Sequence, residues 1–219
     1  MSTLIDLSHP LHHGQLNFPS DPAISVVRYH TVASRGYNLA QLSLSTHHAT
    51  HLDAPYHFYE DGKTLDEIPL DRFYGPAQLI DLCPRRQLEP RTLLTVGRFR
   101  AHEHVFQPGA RVIYRTGWDR MFGTPEFFTD FPSLSLEAAQ WIADKRIALL
   151  GMDTPTPSRE MIECHHILLR RGVEIVLVEG LARLHLLPPQ FLFVGLPLNI
   201  KSGDGSPIRA VAVLEEKTR

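Results

Sequence analysis

Short apolar segments, each bounded by Gly, Pro or Asp, recur along most of the chain and constrain its fold more than any other feature. Segments of this length that are rich in Val, Ile, Leu and Phe are typical of buried β-strands. Seven segments fit this description: ISVVRYHTV, PAQLIDL, ARVIYRT, IALLGMD, EIVLVEG, FLFVGLPL and IRAVAVL. An eighth, NLAQLSLST, places Ala40, Leu42 and Leu44 on one face and polar residues on the other, which predicts a half-buried strand. We therefore predict that strand is the dominant element.

Two segments in the second half carry helical signals. SLEAAQWIADK has Ser135 in the N-cap position and several apolar residues on one stripe. SREMIECHHILLRRG has Ser158 as a candidate cap, two arginines in its last turn and Gly172 just beyond. Helix and strand thus alternate in this half, which predicts an α/β fold with a mixed sheet covered by a few helices. Without repeats or a linker, we expect a single domain over residues 1–219.

Charge and length exclude several classes of protein. Lys and Arg number 22 against 24 Asp and Glu, and no basic block is present, so we expect no nucleic-acid partner. The start, MSTLIDLSHPLHHG, has no Lys, Arg or long apolar segment, and nowhere do eighteen apolar residues follow one another. We therefore expect neither export nor a membrane partner. Two cysteines suit a reducing compartment, so we expect the cytoplasm.

The stretch THHATHLDAPYHF concentrates histidine and aspartate directly after a predicted strand. His47 and His51 are four residues apart and could share a helical face, whereas His51 and Asp53 are two apart and could share a strand face. Pro55 cannot continue a helix, so we predict a loop that brings His57 back towards the other three. These four side chains are therefore candidates for one site.

Neutral imidazoles with a carboxylate are ligands that zinc, manganese and iron accept. Two histidines and one aspartate would leave coordination positions open, which is what a catalytic metal needs to hold water. The alternative is a polar loop that is rich in histidine and binds no metal.

A second patch, ECHHILLRRGVEIVLVEGL, combines a predicted helix bearing His165 and His166 with an apolar strand that runs into Glu179. A buried carboxylate is unfavourable unless it is paired or bound to a metal. Glu179 therefore requires a cation. Asp53 and Glu179 could each bridge two metals, and the alternative for Glu179 is a salt bridge to an arginine.

The segment HHATHLDAPYHF resembles the signature His-x-Gly-Thr-His-x-Asp-x-Pro-x-His of the cyclase family, which includes bacterial kynurenine formamidases, isatin hydrolases and proteins named as polyketide cyclases. The similarity continues in YRTGWD, LLGMDTPTPS, HHILLRRGVEIVLVEGL and LPLNIKSGDGSPIRAV, and so covers most of the chain. The resemblance implies an α/β fold of the swivelling β/β/α type, with a compact β-barrel-like core. It also implies a homodimer or homotetramer.

The resemblance further implies a role for each matching residue. Five residues match the metal ligands of the family: His47, His51, Asp53, His165 and Glu179. His165 rather than His166 takes the ligand position, because the pattern His-x-Ile-Leu-Leu begins there. His57 matches the general acid/base. The implied cofactor is zinc or manganese, as one ion or two.

Three positions depart from the family pattern. Ala49 replaces the usual glycine, which would destabilise the fold by about 1 kcal/mol if that residue needs a positive φ. His48 is an additional imidazole with no assigned role. Phe18 stands where the formamidases commonly have a tryptophan that stacks on the aromatic ring of the substrate, and a phenylalanine can still stack there.

The resemblance implies a metal-dependent amidohydrolase that acts on a small aromatic amide. Arylformamidase, which converts N-formylkynurenine to kynurenine and formate in tryptophan catabolism, is the leading expectation. A metal lowers the pKa of bound water from about 15.7 to roughly 7, so that hydroxide can attack the amide carbonyl while His57 protonates the leaving nitrogen. The alternatives are an isatin-type lactam hydrolase, a metal-dependent cyclase or dehydratase, and a non-catalytic metal-binding relative.

Overall fold

The computed structural model of the chain describes residues 2–83 and 85–215. The strands are β1 (Ser2–Asp6), β2 (Ser25–His30), β3 (Leu39–Ser43), β4 (His51–Asp53), β5 (Tyr74–Asp81), β6 (Leu93–Leu94), β7 (Arg111–Arg115), β8 (Ser133–Leu134), β9 (Leu149–Met152), β10 (Val176–Glu179), β11 (Gln190–Val194), β12 (Gly205–Pro207) and β13 (Val211–Glu215). The α-helices are α1 (Val32–Arg35), α2 (Val96–Arg100), α3 (Glu126–Thr129), α4 (Leu136–Asp144) and α5 (Met161–Leu169). Each of the eight segments predicted to be a strand contains one.

One curled sheet of nine strands forms the centre of the molecule, in the order β1-β13-β11-β5-β7-β9-β10-β4-β12. The four strands from β5 to β10 in this order are parallel to one another. The strands on either side of them pair antiparallel. The predicted α/β fold with a mixed, half-barrel sheet and few helices is therefore confirmed.

Side chains of the parallel strands alternate between two apolar cores, as the pleat of a strand requires. On one face Val112, Leu150 and Leu177 pack in a cluster with buried residues of α4 and α5. On the other face Ile113 and Val176 belong to a second cluster. Because both faces are covered, these strands are apolar over most of their length, which is the pattern that predicted them.

The two predicted helices form, with one correction. The Ser135 side chain accepts a hydrogen bond from the Ala138 N–H and caps α4, as expected. Helix α5 begins later than predicted, because Glu160 and not Ser158 is its N-cap. The Ser158 hydroxyl instead donates to the Leu134 carbonyl, 2.8 Å away, and ties the loop before α5 to β8. No helix in the described ranges is long and apolar enough to cross a membrane.

Strands β2 and β3 form a separate two-stranded hairpin that differs from the prediction. The pattern predicted one buried and one half-buried strand, but β3 is exposed along its length and β2 is largely exposed. The side chains of Tyr29 and Leu42 are 62% and 60% exposed. The alternation in β3 does indicate a strand, but among residues 2–83 and 85–215 nothing buries its apolar face.

Candidate metal centre

Strand β4 and its neighbour β10 bring three of the predicted residues together. His51 and Asp53 are two residues apart on β4 and so point to the same face of the sheet. Glu179, the last residue of β10, lies directly opposite His51 in the antiparallel register. His51 Nε2 is consequently 3.4 Å from Asp53 Oδ1 and 3.4 Å from Glu179 Oε2.

Helix α5 adds a fourth side chain from the opposite direction. His165 Nε2 lies 3.3 Å from Glu179 Oε1 and 3.4 Å from Asp53 Oδ2. His166, the next residue on the helix, is exposed and contacts Tyr59. We call His51, Asp53, His165 and Glu179 the inner cluster. All four of its residues are buried.

In each inner histidine, Nε2 faces the carboxylates and Nδ1 faces a backbone carbonyl, and the contact with the carbonyl fixes the tautomer. His51 Nδ1 is 3.1 Å from the Ala49 carbonyl, and His165 Nδ1 is 2.7 Å from the Met161 carbonyl one helical turn earlier. Because a carbonyl oxygen only accepts hydrogen bonds, each Nδ1 carries a hydrogen, and each Nε2 presents a lone pair when the imidazole is neutral. Two lone pairs therefore face two carboxylates. Such a set of donors fits a divalent cation, and the orientation of each imidazole by a carbonyl is typical of metal-binding histidines.

The pKa shifts in the inner cluster also indicate that its two carboxylates require positive charge beside them. Burial opposes the charged form of His165, but the hydrogen bonds and charges of Asp53 and Glu179 outweigh it and raise the pKa to about 10. The pKa of His51 is raised well above its usual range by the same balance. Burial alone would raise the pKa of Asp53, yet the surrounding imidazoles hold it well below the usual range. Without a metal, protons on the histidines supply the positive charge.

His47 lies beside the inner cluster, in the irregular segment that precedes β4. Its Nδ1 is 2.8 Å from Asp53 Oδ1, and its Nε2 is 2.9 Å from Asp204 Oδ2. Burial opposes its charged form, but Asp53 and Asp204 raise the pKa to about 9. The ring fits because residue 205 is a glycine, since a Cβ there would lie 2.5 Å from His47 Cε1.

His57 is carried by a short 3-10 turn, Pro55–His57, that follows β4. Pro55 therefore ends the strand and turns the chain back, as predicted. The ring of His57 stacks on that of His47, with the centroids 3.8 Å apart. Its Nδ1 lies 3.6 Å from Asp204 Oδ2, which is beyond a hydrogen bond but within the range of an ion pair. We call His47, His57 and Asp204 the outer cluster.

Asp53 of the inner cluster also contacts the outer cluster through His47. Ligand atoms of His51, Asp53 and Glu179 lie within 4.8 Å of one another, and so do those of His47, Asp53 and His57. A carboxylate has two oxygens and can bridge two ions that lie on either side of it. The structure therefore brings together all six residues that the sequence assigned to metal binding and proton transfer.

The segment that connects the clusters is strained at one residue. Ala49 adopts a φ of +52°, a left-handed conformation that favours glycine and that destabilises the fold by about 1 kcal/mol when alanine occupies it. This conformation directs the Ala49 carbonyl to His51 Nδ1. The neighbouring His48 is fully buried, and its Nδ1 faces Ser45 rather than either cluster.

A pocket opens onto both clusters, and beside polar residues such as Asn17 and Thr156 it is lined by five phenylalanines: Phe18, Phe58, Phe122, Phe127 and Phe128. Phe18 packs edge-on against Phe128, with the ring centroids 6.2 Å apart. The pocket holds about 170 Å³, which is below the roughly 300 to 1,000 Å³ of pockets for drug-sized ligands. Its size and lining suit a ligand with one aromatic ring.

Two parts of the site were not predicted from the sequence. The first is Asp204, which lies 157 positions from His47 in the chain and within the quoted segment LPLNIKSGDGSPIRAV. The only signal for it was that family similarity, which assigned no role to the aspartate. The second is the aromatic wall formed by Phe122, Phe127 and Phe128, which the phenylalanine-rich segment around α3 supplies.

Comparisons with known proteins extend over nearly the whole chain. The family model described as "Putative cyclase" matches residues 5–159. Kynurenine formamidase from Bacillus cereus is 30% identical over 215 residues, which cover 96% of this chain and 97% of that protein. Kynurenine formamidase from Geobacillus thermodenitrificans is 29% identical over 214 residues, with the same shares of both chains.

Solved structures agree with the sequence comparison. An isatin hydrolase bound to the product analogue thioisatinate is similar with a TM-score of 0.86 and 25% identity, covering 98% of this chain and 93% of that one. Isatin hydrolase A from Ralstonia solanacearum has a TM-score of 0.84 and 26% identity, covering 98% and 92%. The similarity in fold therefore extends over nearly the whole chain.

Proposed function

The chain belongs to the cyclase family, and on that premise we propose that it is a metal-dependent hydrolase of the arylformamidase type. The observation that carries the proposal is the inner cluster at the base of an aromatic pocket. Two imidazoles and two carboxylates converge there from β4, β10 and α5. The kynurenine formamidases and isatin hydrolases to which the chain is similar are, by their names, hydrolases of carbon–nitrogen bonds.

The inner cluster would hold the metal, with His47 as a further ligand through the nitrogen that faces Asp53. A bound divalent ion supplies an acidified water and an electrophile for the carbonyl oxygen. The pocket aligns the aryl group of the substrate, and its apolar walls limit the access of bulk water to the amide. His57 accepts a proton from the attacking water and returns it to the nitrogen as the carbon–nitrogen bond breaks.

A formanilide such as N-formylkynurenine is the substrate class that we propose, because the leaving nitrogen would carry an aromatic ring that Phe18 can contact. A strained aryl lactam is the second candidate. It is supported by the similarity to an isatin hydrolase with the product analogue thioisatinate bound. Both substrates have one aromatic ring, in keeping with the small pocket, and both reactions need a proton on an aryl nitrogen.

Zinc or manganese is the metal that we propose, since imidazole and carboxylate ligands suit both. The proximity of two groups of ligand atoms that share Asp53 supports two ions. Each of the carboxylates Asp53 and Glu179 has both oxygens directed at imidazoles of the site.

A homodimer and a cytoplasmic location complete the proposal. The exposed apolar side chains of the β2–β3 hairpin support self-association, because exposed apolar patches mark protein interfaces. Cys83 and Cys164 are both buried free thiols, which suits a reducing compartment. Sedimentation of the purified protein at several concentrations tests the dimer. A single species with the mass of one chain would contradict it.

Elemental analysis of the purified protein, paired with a formamidase assay, tests the site and the reaction together. We expect stoichiometric zinc or manganese and release of formate from N-formylkynurenine or formanilide. Isatin is assayed in parallel as the lactam. Protein that binds metal but opens none of these amides would contradict the reaction, and protein without metal would contradict the site.

A further inference from the structure

Asp204 lies in the loop before β12 and contacts both imidazoles of the outer cluster. Its Oδ2 accepts a hydrogen bond from His47 Nε2 at 2.9 Å and one from the Thr46 hydroxyl at 3.2 Å. The same oxygen is 3.6 Å from His57 Nδ1. A single carboxylate oxygen is thus the common neighbour of the proposed metal ligand His47 and the proposed proton donor His57.

We propose that Asp204 is a positioning residue that orients His57 for proton transfer to the leaving nitrogen. The proposal rests on the proposed function, because it assigns a task within that reaction. At 3.6 Å, Asp204 Oδ2 is a charged neighbour of His57 Nδ1 rather than a hydrogen-bond acceptor, and its charge favours the ring orientation and tautomer that keep the hydrogen on Nδ1 and leave Nε2 to exchange protons. The stacking on His47 sets the plane of the His57 ring, and Asp204 sets its rotation within that plane.

The geometry separates Asp204 from the metal ligands. His47 lies between two carboxylates, with Nδ1 directed at Asp53 and Nε2 at Asp204. Asp204 is therefore on the far side of an imidazole from the inner cluster. Its side chain is 37% exposed, whereas that of Asp53 is 1% exposed. This is the arrangement of a carboxylate that orients a histidine rather than one that binds the ion.

Proton transfer matters most when the tetrahedral adduct of water and amide collapses. The carbon–nitrogen bond breaks, the nitrogen takes the electron pair, and the proton on His57 moves to that nitrogen to give a neutral amine and a carboxylic acid. An aryl amine leaves poorly without this proton, whereas the phenolate of an aryl ester leaves without help. The contribution of Asp204 should therefore depend on the leaving group.

The test is Asp204→Asn, which keeps the size of the side chain and an oxygen that can accept from His47 but removes the charge. We expect kcat for formanilide to fall on the order of 10- to 100-fold, the usual effect of removing an orienting partner. KM, metal content and unfolding temperature should stay at the values of the wild-type enzyme, and turnover of phenyl formate should fall less than about threefold. Asp144→Asn, at a 63% exposed position on α4, is the charge-matched control.

Three results would overturn the proposal. Equal losses on the anilide and the ester would show that Asp204 does not act on protonation of the leaving nitrogen, because that step limits only the anilide. Loss of metal in Asp204→Asn would show that Asp204 supports metal binding through His47 instead of orienting His57. The third result comes from the double variant that combines Asp204→Asn with His57→Ala. We expect this variant to lose no more activity than His57→Ala alone. Additive losses would show that Asp204 does not act through His57. Failure of the wild-type enzyme on all amides would refute the proposed function separately.

Discussion

The inner and outer clusters are in contact, yet they differ in how they are held and in how much water reaches them. The inner side chains come from regular strands and a helix and are 1% to 7% exposed. The outer side chains come from loops and a single turn, and are 14%, 29% and 37% exposed for His47, His57 and Asp204. A buried group of charges requires a fixed cation, whereas a group in contact with water can exchange protons. We infer that the first binds the metal and that the second, apart from the further ligand His47, transfers protons.

The largest effect is expected from Asp53→Ala, because Asp53 belongs to both groups of possible metal-ligand atoms. We expect the variant to contain no metal and to lack measurable turnover. Its unfolding temperature should fall below that of the metal-loaded wild-type protein, because a ligand that binds only the folded state stabilises it. Wild-type protein stripped with EDTA should show the same losses and recover them when metal is restored. A variant that keeps both metal and activity would remove the basis for the inner cluster.

His57→Ala tests whether the two clusters have separate roles, and it should have the next largest effect. We expect kcat to fall roughly 10²- to 10⁴-fold, the range for loss of a general acid or base. Metal content should be close to that of the wild-type protein, because the inner ligands and His47 are unchanged. Kinetics and elemental analysis on one preparation measure both. If the variant lost its metal, the division into a binding cluster and a proton-transfer cluster would be wrong.

The pH dependence of stability sharpens the account of the inner cluster. In metal-free protein the pKa of His165 is about 10 when folded, against 6.5 for an unperturbed imidazole. A raised pKa means that the protonated form stabilises the fold fully below the unfolded value, and that this stabilisation is lost as pH rises towards the folded value. A bound metal replaces these protons and should prevent the loss.

The gap in unfolding temperature between metal-loaded and stripped protein should therefore widen from about pH 6 to about pH 9. A chain of this length shifts by roughly 2 to 4 °C for each kcal/mol, so a change of several degrees is expected. Thermal scans in both states at matched ionic strength measure it. A gap that stays constant across this range would show that protons do not take the place of the metal on the inner histidines.

The same difference between the clusters explains how much of the site could be predicted from the sequence. His51 and Asp53 alternate on a strand, and an apolar strand that ends in a carboxylate carries Glu179, so local periodicity was enough to recognise them. Parallel strands covered on both faces give apolar segments that are easily identified, and the sheet was predicted for that reason. In a regular strand, the spacing of residues along the chain determines which face of the sheet their side chains lie on.

In loops the spacing along the chain does not determine the position of a side chain, and although the motif included His47 and His57, Asp204 was missed. Asp204 reaches His47 only because β12 pairs with β4, and no local pattern contains that pairing. The prediction that β3 is half-buried was wrong for a related reason, because alternation indicates an apolar face but not what covers it. Ser158 resembled a helix cap, but its hydroxyl is bonded to β8. The position of Asp204, the exposure of β3 and the start of α5 all depend on contacts, or their absence, between segments that are distant in the sequence.

Phe18→Ala tests the outermost part of the pocket and should have the smallest effect. Phe18 lies at the pocket wall, packs edge-on against Phe128 and has no polar group to offer to either cluster. Loss of an aromatic contact is worth about 0.5 to 1.5 kcal/mol, so KM for an aryl amide should rise about 2- to 10-fold. We expect kcat and metal content to change little, and Phe18→Trp, which keeps a ring, to bind at least as well as the wild-type enzyme. A large fall in kcat for Phe18→Ala, with KM unchanged, would instead place Phe18 with the groups that act on the reacting atoms, and the wall of the pocket could no longer be treated as separate from the outer cluster.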